Sequence, residues 1–211
     1  MKRLILFFCI TSYITCAHSM AGDAMLSVDE IACYVRQTQK KFGSVDYLEH
    51  AMHDLDGQSQ EKFGRVAALF TDPQLIFFAK EPADIRSWFG IFCYKKDESA
   101  RYVKIGETLF SLLDATKKNA YWLDMLQVNS KQRGFGVGTA LFFYTQYVVR
   151  QLAYGESSYA LALAPNPFGV EPRLDYCDLC KFYTLLGGKK DGEVFRWDGT
   201  PLKPWNMMEK E

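Results

Sequence analysis

A surplus of charge of either sign is missing from this sequence. Lys and Arg together number 25, and so do Asp and Glu. That balance leaves no electrostatic case for nucleic-acid binding, and no long run of like charge forms an interaction tail. Any partner must be recognised locally. Histidine is scarce too, with three residues in the whole chain. His50 and His53 stand far upstream of the C-x-x-C formed by Cys177 and Cys180. A zinc site on that pair needs two more ligands at sensible spacing, so no metal is expected. Two ordinary thiols, or one local disulfide at a helix start, remain the readings of the C-x-x-C. Internal repeats, interdomain linkers and low-complexity tracts are also absent. With 48% hydrophobic and 15% aromatic residues in 211, the chain suits one compact domain with a sizeable core.

The first residues, MKRLILFFCITSYITCAHSMAG, carry two basic residues (Lys2, Arg3), an apolar run from Leu4 to about Ile14, and small residues at Ala17 and Ser19. This pattern predicts a secretory signal over residues 1–19 cleaved after Ser19, with Ala21 as the alternative, and a domain over 22–211. The run is too short, and too interrupted by Thr and Ser, for a comfortable membrane span. No stable span is expected after processing. Removal of the signal leaves 23 basic against 25 acidic residues and four cysteines, Cys33, Cys93, Cys177 and Cys180. Sequence cannot choose among the three pairings that four cysteines allow.

Along the rest of the chain, Ser27 followed by Glu30 has capping-box spacing and opens a helix running to about Gln39. A second helix is expected from Val45 to about Leu55. The runs VAALF (66–70), LIFFAK (75–80) and WFGIFCYKK (88–96) read as strands. RYVKIGETLFSLL (101–113) reads either as a strand with a glycine bulge or as a short helix. AYWLDMLQV (120–128) reads as a strand, GVGTALFFYTQYVVRQL (136–152) as a long buried helix, and SSYALALAP (157–165) as a strand buried on both faces. A helix over about Asp178 to Leu186 comes next, stopped by Gly187-Gly188. EVFRW (193–197) and the stretch around Trp205 are expected to close the sheet. The order implies one α/β layer structure.

QRGFGVGTAL (132–141) places three glycines, Gly134, Gly136 and Gly138, at alternate positions between a strand and a buried helix. The first N–H groups of a helix have no internal partner and the dipole is positive there, so phosphate oxygens bind well; glycine lets the backbone come close. The nucleotide P-loop is disfavoured, because no Lys-Ser or Lys-Thr follows Gly138. The dinucleotide fingerprint is disfavoured too, because the third glycine comes too soon and the motif lies past mid-chain.

R-x-x-G-x-G does fit, as Arg133-Gly134-Phe135-Gly136-Val137-Gly138. With it the run LQVNSKQRGFGVGTAL resembles motif A of the GNAT superfamily of acyl-CoA N-acyltransferases. There, a strand ending in L-x-V leads through a short loop to R-G-x-G-x-G and a helix, and Leu126, Val128 and Arg133 fall at those separations. CKFYTLLGGKKDGEVFRW (180–197) is similar to the family's later helix and strand, with Phe182-Tyr183 and Leu186-Gly187 in matching places. The resemblance runs from about Ala120 to Trp197; the first hundred residues match only as helices followed by strands.

The resemblance implies a single α/β domain: a mixed central β-sheet flanked by helices, with splayed central strands forming an acyl-CoA cleft. It implies acetyl-CoA or another acyl-CoA as acyl donor, and a small-molecule or peptide amine as acceptor. It implies that backbone N–H groups of Arg133, Gly134, Phe135, Gly136, Val137, Gly138 and Thr139 hold the pyrophosphate. Strand groups near Leu126 and Val128 would hold the pantetheine, with an N–H, that of Val128, polarising the thioester carbonyl. Tyr183 matches the position that often supplies the acid for the leaving thiolate; the competing role is a packed helix tyrosine. Asp124, four residues before Val128, is the candidate base, against a plain polar strand position. Asn166 could order a water or bind substrate, or simply serve the turn between Pro165 and Pro167. Glu171, Arg173 and Asp175 in the same loop could recognise a charged acceptor or be solvated. His50 and His53 read as surface residues. Monomer and homodimer are both open. A rival class is an exported binding or interaction protein on the same fold without catalysis, since acyl-CoA is chiefly an internal metabolite.

Overall fold

The structure is a computed structural model that describes residues 26–43, 60–82, 88–114, 116–167 and 174–208. The expected signal, the helix expected over Val45 to Leu55, both candidate surface histidines, Glu171 and Arg173 fall outside the described residues.

Helix α1 (Val28–Phe42) begins as its sequence demands. The Ser27 hydroxyl accepts from the Glu30 N–H at 3.2 Å and the Glu30 carboxylate accepts from the Ser27 N–H at 2.9 Å. That is a complete capping box. Gly43, at φ +86°, ends the helix where a Cβ would come within 2.7 Å of the Trp205 ring. Helix α2 (Gln60–Thr71) corrects the strand expected over 66–70. Val66, Leu69 and Phe70 fall at i, i+3 and i+4, and Val66 and Phe70 are buried. Over so short an apolar run that helical spacing outweighs β-branching.

Strands β1 (Leu75–Lys80), β2 (Phe89–Lys96), β3 (Tyr102–Asp114), β4 (Lys117–Val128), β5 (Tyr159–Leu163), β6 (Lys189–Asp191) and β7 (Val194–Gly199) form one seven-stranded sheet in the order β1-β2-β3-β4-β5-β7-β6. The ambiguous stretch 101–113 is therefore a strand. All neighbours run antiparallel except β4 and β5, which are parallel. The β4–β5 crossover contains α3 (Val137–Leu152). Helix α4 (Tyr176–Leu185) precedes β6, and α5 (Trp205–Met208) is a short helix rather than the closing strand expected around Trp205. The Trp205 indole packs under Gly43, and the Trp205 backbone N–H donates to Gln151 Oε1 at 3.1 Å.

Alternation along β1 separates two cores. Phe77 and Ala79 join the large cluster with α2 and α3, while Phe78 packs on the opposite face with Ile31 and Tyr94 under α1. Ala140, Leu141, Phe142, Val148 and Val149 of α3 are fully buried, as an all-round apolar helix requires. Strand β1 is an edge, and α1 covers it: the Ala79 N–H donates to Thr38 Oγ1 at 2.9 Å, and Thr38 Oγ1 also lies 3.0 Å from the Ala79 carbonyl. The Tyr147 hydroxyl donates to the Phe42 carbonyl at 2.6 Å, tying α1 to α3. Among the described residues no helix is long and apolar enough to cross a membrane.

Candidate functional site

The glycine stretch sits where β4 ends. A 3-10 turn, Ser130–Gln132, is held by Asn129, whose side chain accepts from the Lys131 N–H at 3.1 Å. Gly134 and Gly136 come next with φ of +82° and +85°, backbone that side chains resist, so these two glycines are required by conformation. Gly138 differs: its φ is ordinary and a Cβ would meet Val128 at 3.5 Å and Phe182 at 3.7 Å, normal contact distances. Gly136 is the N-cap of α3, with no side-chain cap and no acidic residue in the first turn. The other two long helices with assigned caps use their own anions there, Glu30 in α1 and Asp175 with Asp178 in α4. The first N–H groups of α3 are thus left to a partner from outside the helix.

Beside this helix end, β4 loses its neighbour. Among the described residues it pairs with β5 over only three residues, Ala120–Trp122 against Ala160–Ala162, and from there to Val128 this edge has no strand partner. On its other edge it remains paired with β3 to the end. The Asn129 N–H donates to the Ile105 carbonyl at 2.8 Å, and antiparallel alternation then turns the N–H and C=O of Leu126 and Val128 the other way, into the gap. The Val128 carbonyl is met there by Arg133 Nε at 3.1 Å. Arg133 therefore braces the glycine stretch onto the diverging strand.

Asp124 stands on the same strand, about 7 Å along from Leu126 by the strand rise. The β3–β4 register shifts here: Phe110 pairs with Leu123 and Leu109 with Met125, leaving Asp124 as the extra residue of a β-bulge. The bulge turns Asp124 to the side of Ser111, whose hydroxyl donates to its Oδ2 at 2.8 Å. The Trp88 side chain is a second hydrogen-bonding neighbour of the same carboxylate. Burial pushes the carboxyl up from the usual 3.8 to about 6, with the Ser111 and Trp88 bonds pulling the other way. Sequence reasoning found Asp124 but not Ser111 or Trp88. A hydroxyl inside the apolar run TLFSLL is the only trace of the first, and its meaning depends on cross-strand register.

Other expected residues sit less simply. Tyr183 is 6% exposed, and its ring lies among Phe142, Phe182, Phe195 and Trp197. Burial holds its phenol above the ordinary range. Of the pair, it is Phe182 that approaches Gly138, alongside Val128 and Leu126. Asn166 is exposed beyond the end of β5. Asp175 is the N-cap of α4, accepting from the Asp178 N–H at 2.7 Å. Phe135 points its side chain outward, 69% exposed. The four described cysteines are free thiols: Cys33 and Cys177 exposed, Cys180 half-buried, and Cys93 buried with its thiol pushed up by desolvation. Among the described residues no cluster of metal-ligating side chains occurs.

No family model matches the chain, and no curated protein matches its sequence. Solved structures that resemble it in arrangement include a protein from Desulfovibrio desulfuricans described as a GNAT-family acetyltransferase (TM-score 0.39, 17% identity, covering 53% of this chain and 68% of that one). A second is the KacTA–DNA complex (TM-score 0.42, 16% identity, covering 60% and 74%). A third is a GNAT-family acetyltransferase from Brucella melitensis in complex with acetyl-CoA (TM-score 0.33, 16% identity, covering 82% and 84%). At such scores the likeness carries no argument about function. The glycine motif and the geometry around it must carry the functional reading.

Proposed function

We propose that this chain is an N-acyltransferase, by first preference an acetyltransferase, that moves an acyl group from acyl-CoA to an amine by direct attack. The observation that carries the reading is the meeting of an uncapped helix start with the bare edge of β4. First-turn N–H groups of α3, from Val137 to Thr139, fit a pyrophosphate, and left-handed Gly134 and Gly136 present no Cβ to it. The N–H groups of Leu126 and Val128 face the gap, where an extended pantetheine could pair with β4 as a strand would. An N–H on that edge would stabilise the oxyanion of a tetrahedral intermediate.

In the transfer the amine nitrogen forms the new C–N bond and the C–S bond of the thioester breaks. Asp124 takes the amine proton directly or through a water. A carboxyl near 6 is mostly ionised at neutral pH and is closer in basicity to its task than an ordinary aspartate. The leaving thiolate takes a proton from water, and Asp124 returns the amine proton to water, so the exchange balances. Tyr183 is assigned a hydrogen bond to sulfur rather than full proton transfer, because a phenol held above its ordinary value gives up its proton uphill to a thiolate whose thiol titrates at about 8.5. The acceptor is proposed to be a small-molecule or peptide amine, and residues 1–19 to direct export. N-terminal sequencing of protein recovered outside cells tests the latter by reading from Met20 or Gly22.

Calorimetry with acetyl-CoA tests the core of the proposal: saturable binding by the full chain, lost in Gly136→Glu, sustains it, and no heat at millimolar ligand refutes it. A second reading, a coenzyme-binding protein without transfer, is favoured by the burial of Tyr183. Binding with no thiol release across a panel of amines would favour that reading.

A further inference from the structure

Among the described residues, no cation pairs with the Asp124 carboxylate. Its surroundings are burial, the Ser111 hydroxyl and the Trp88 indole. On β3 Lys104 pairs with Glu107 at 3.2 Å, on β7, one strand beyond β5, Arg196 pairs with Asp198 at 2.7 Å, and β5, YALAL, has no charged residue. A half-buried carboxylate without a cation would normally rotate toward solvent or stay protonated. Here two neutral donors from two different elements reach it, Ser111 from β3 and Trp88 from just before β2. The bulge brings the acid to them.

We propose that Ser111 and Trp88 are positioning residues that hold the Asp124 carboxylate ionised in one rotamer, leaving its remaining acceptor sites for the ammonium group of an amine acceptor. A carboxylate offers about four lone-pair sites. The two donors occupy two, so two are left for an incoming ammonium or a bridging water. The clamp supplies orientation and no positive charge, so the carboxylate remains an attractive seat for a cation, and the exchange is a plain proton transfer from the nitrogen to an Asp124 oxygen. This inference rests on the reading of Asp124 as the base. Ser111 and Trp88 act through Asp124.

The test follows the Asp124 carboxyl by carbon-13 NMR titration in the full chain, assigned with Asp124→Asn, alongside the pH profile of kcat/KM. Ser111→Ala and Trp88→Phe each remove one donor to the charged form, so each should raise the carboxyl midpoint by about one pH unit, a tenfold change in its acid constant. The acid limb of the profile should move up with it. Ser111→Thr, which keeps the hydroxyl and suits a strand, should restore both. Midpoints unmoved in Ser111→Ala and Trp88→Phe that still unfold cooperatively would overturn the clamp. Midpoints that move in a protein with no transfer activity would sustain the clamp and overturn the acyltransfer reading instead.

Discussion

Replacing Asp124 by Asn should move the stability balance toward the variant as pH rises into the range where it destroys activity. Burial penalises the charged carboxylate, so the folded protein holds the Asp124 proton more tightly than the unfolded chain, near 6 against 3.8. The stability this lends is full below about pH 3.8 and is lost as pH rises through about 6. At about 1.36 kcal/mol per unit, the whole loss is about 3 kcal/mol, of which about 2 kcal/mol falls between pH 4.5 and 8. Asparagine carries no titrating proton and shows no such loss. Urea denaturation of both proteins at pH 4.5, 6 and 8 should therefore give a stability difference that drifts toward the variant by about 2 kcal/mol, equivalent to roughly 4–8 °C in Tm. Thiol release with a working amine acceptor should fall by about 10²–10⁴ in the same variant. A stability difference constant within about 0.5 kcal/mol over that range would refute this linkage, because the carboxyl would then titrate alike in both states.

Gly136→Ala places a side chain at φ +85° with its Cβ 3.3 Å from Leu69 Cδ1, so it should cost roughly 1–2 kcal/mol and weaken acetyl-CoA binding. Gly134→Ala, at φ +82° with nothing within 4 Å, should show the backbone strain alone, and thermal scans with and without ligand separate the two. Thr38→Val strips the hydroxyl from the Ala79 N–H on the edge of β1 and should destabilise by about 1–3 kcal/mol in urea, with coenzyme affinity unchanged. Tyr183→Phe keeps the ring packing and removes only the hydroxyl; if that group meets the thioester sulfur, kcat falls while acetyl-CoA affinity holds, and an unchanged kcat assigns Tyr183 to the core.

Much of the fold is written in local pattern. The capping box at Ser27 and Glu30, the all-round apolar α3, and the strands over 75–80, 89–96 and 117–128 come from nearest-neighbour chemistry that tertiary contacts did not override. The segment 66–70 misled because five apolar residues satisfy a strand and one face of a helix equally, and packing against α3 decides between them. Trp205 misled because an aromatic residue near a chain end signals burial without saying in which element. At the site, the glycine stretch was legible because positive φ and an uncapped helix are properties of a few consecutive residues. Ser111 and Trp88 were not, because their partner lies 13 and 36 positions away along the chain.

By itself, then, the sequence determined the helix that starts without a cap, the strand before it, and the balance of charge. Those are consequences of backbone stereochemistry and composition. Tertiary structure alone decided that β5 leaves β4 after three pairs, that the edge of Leu126 and Val128 has no strand partner among the described residues, and that a bulge delivers Asp124 to Ser111 and Trp88. The reason is physical: strand register, divergence and desolvation arise from distant residues packing together, and no local window of the chain contains that information.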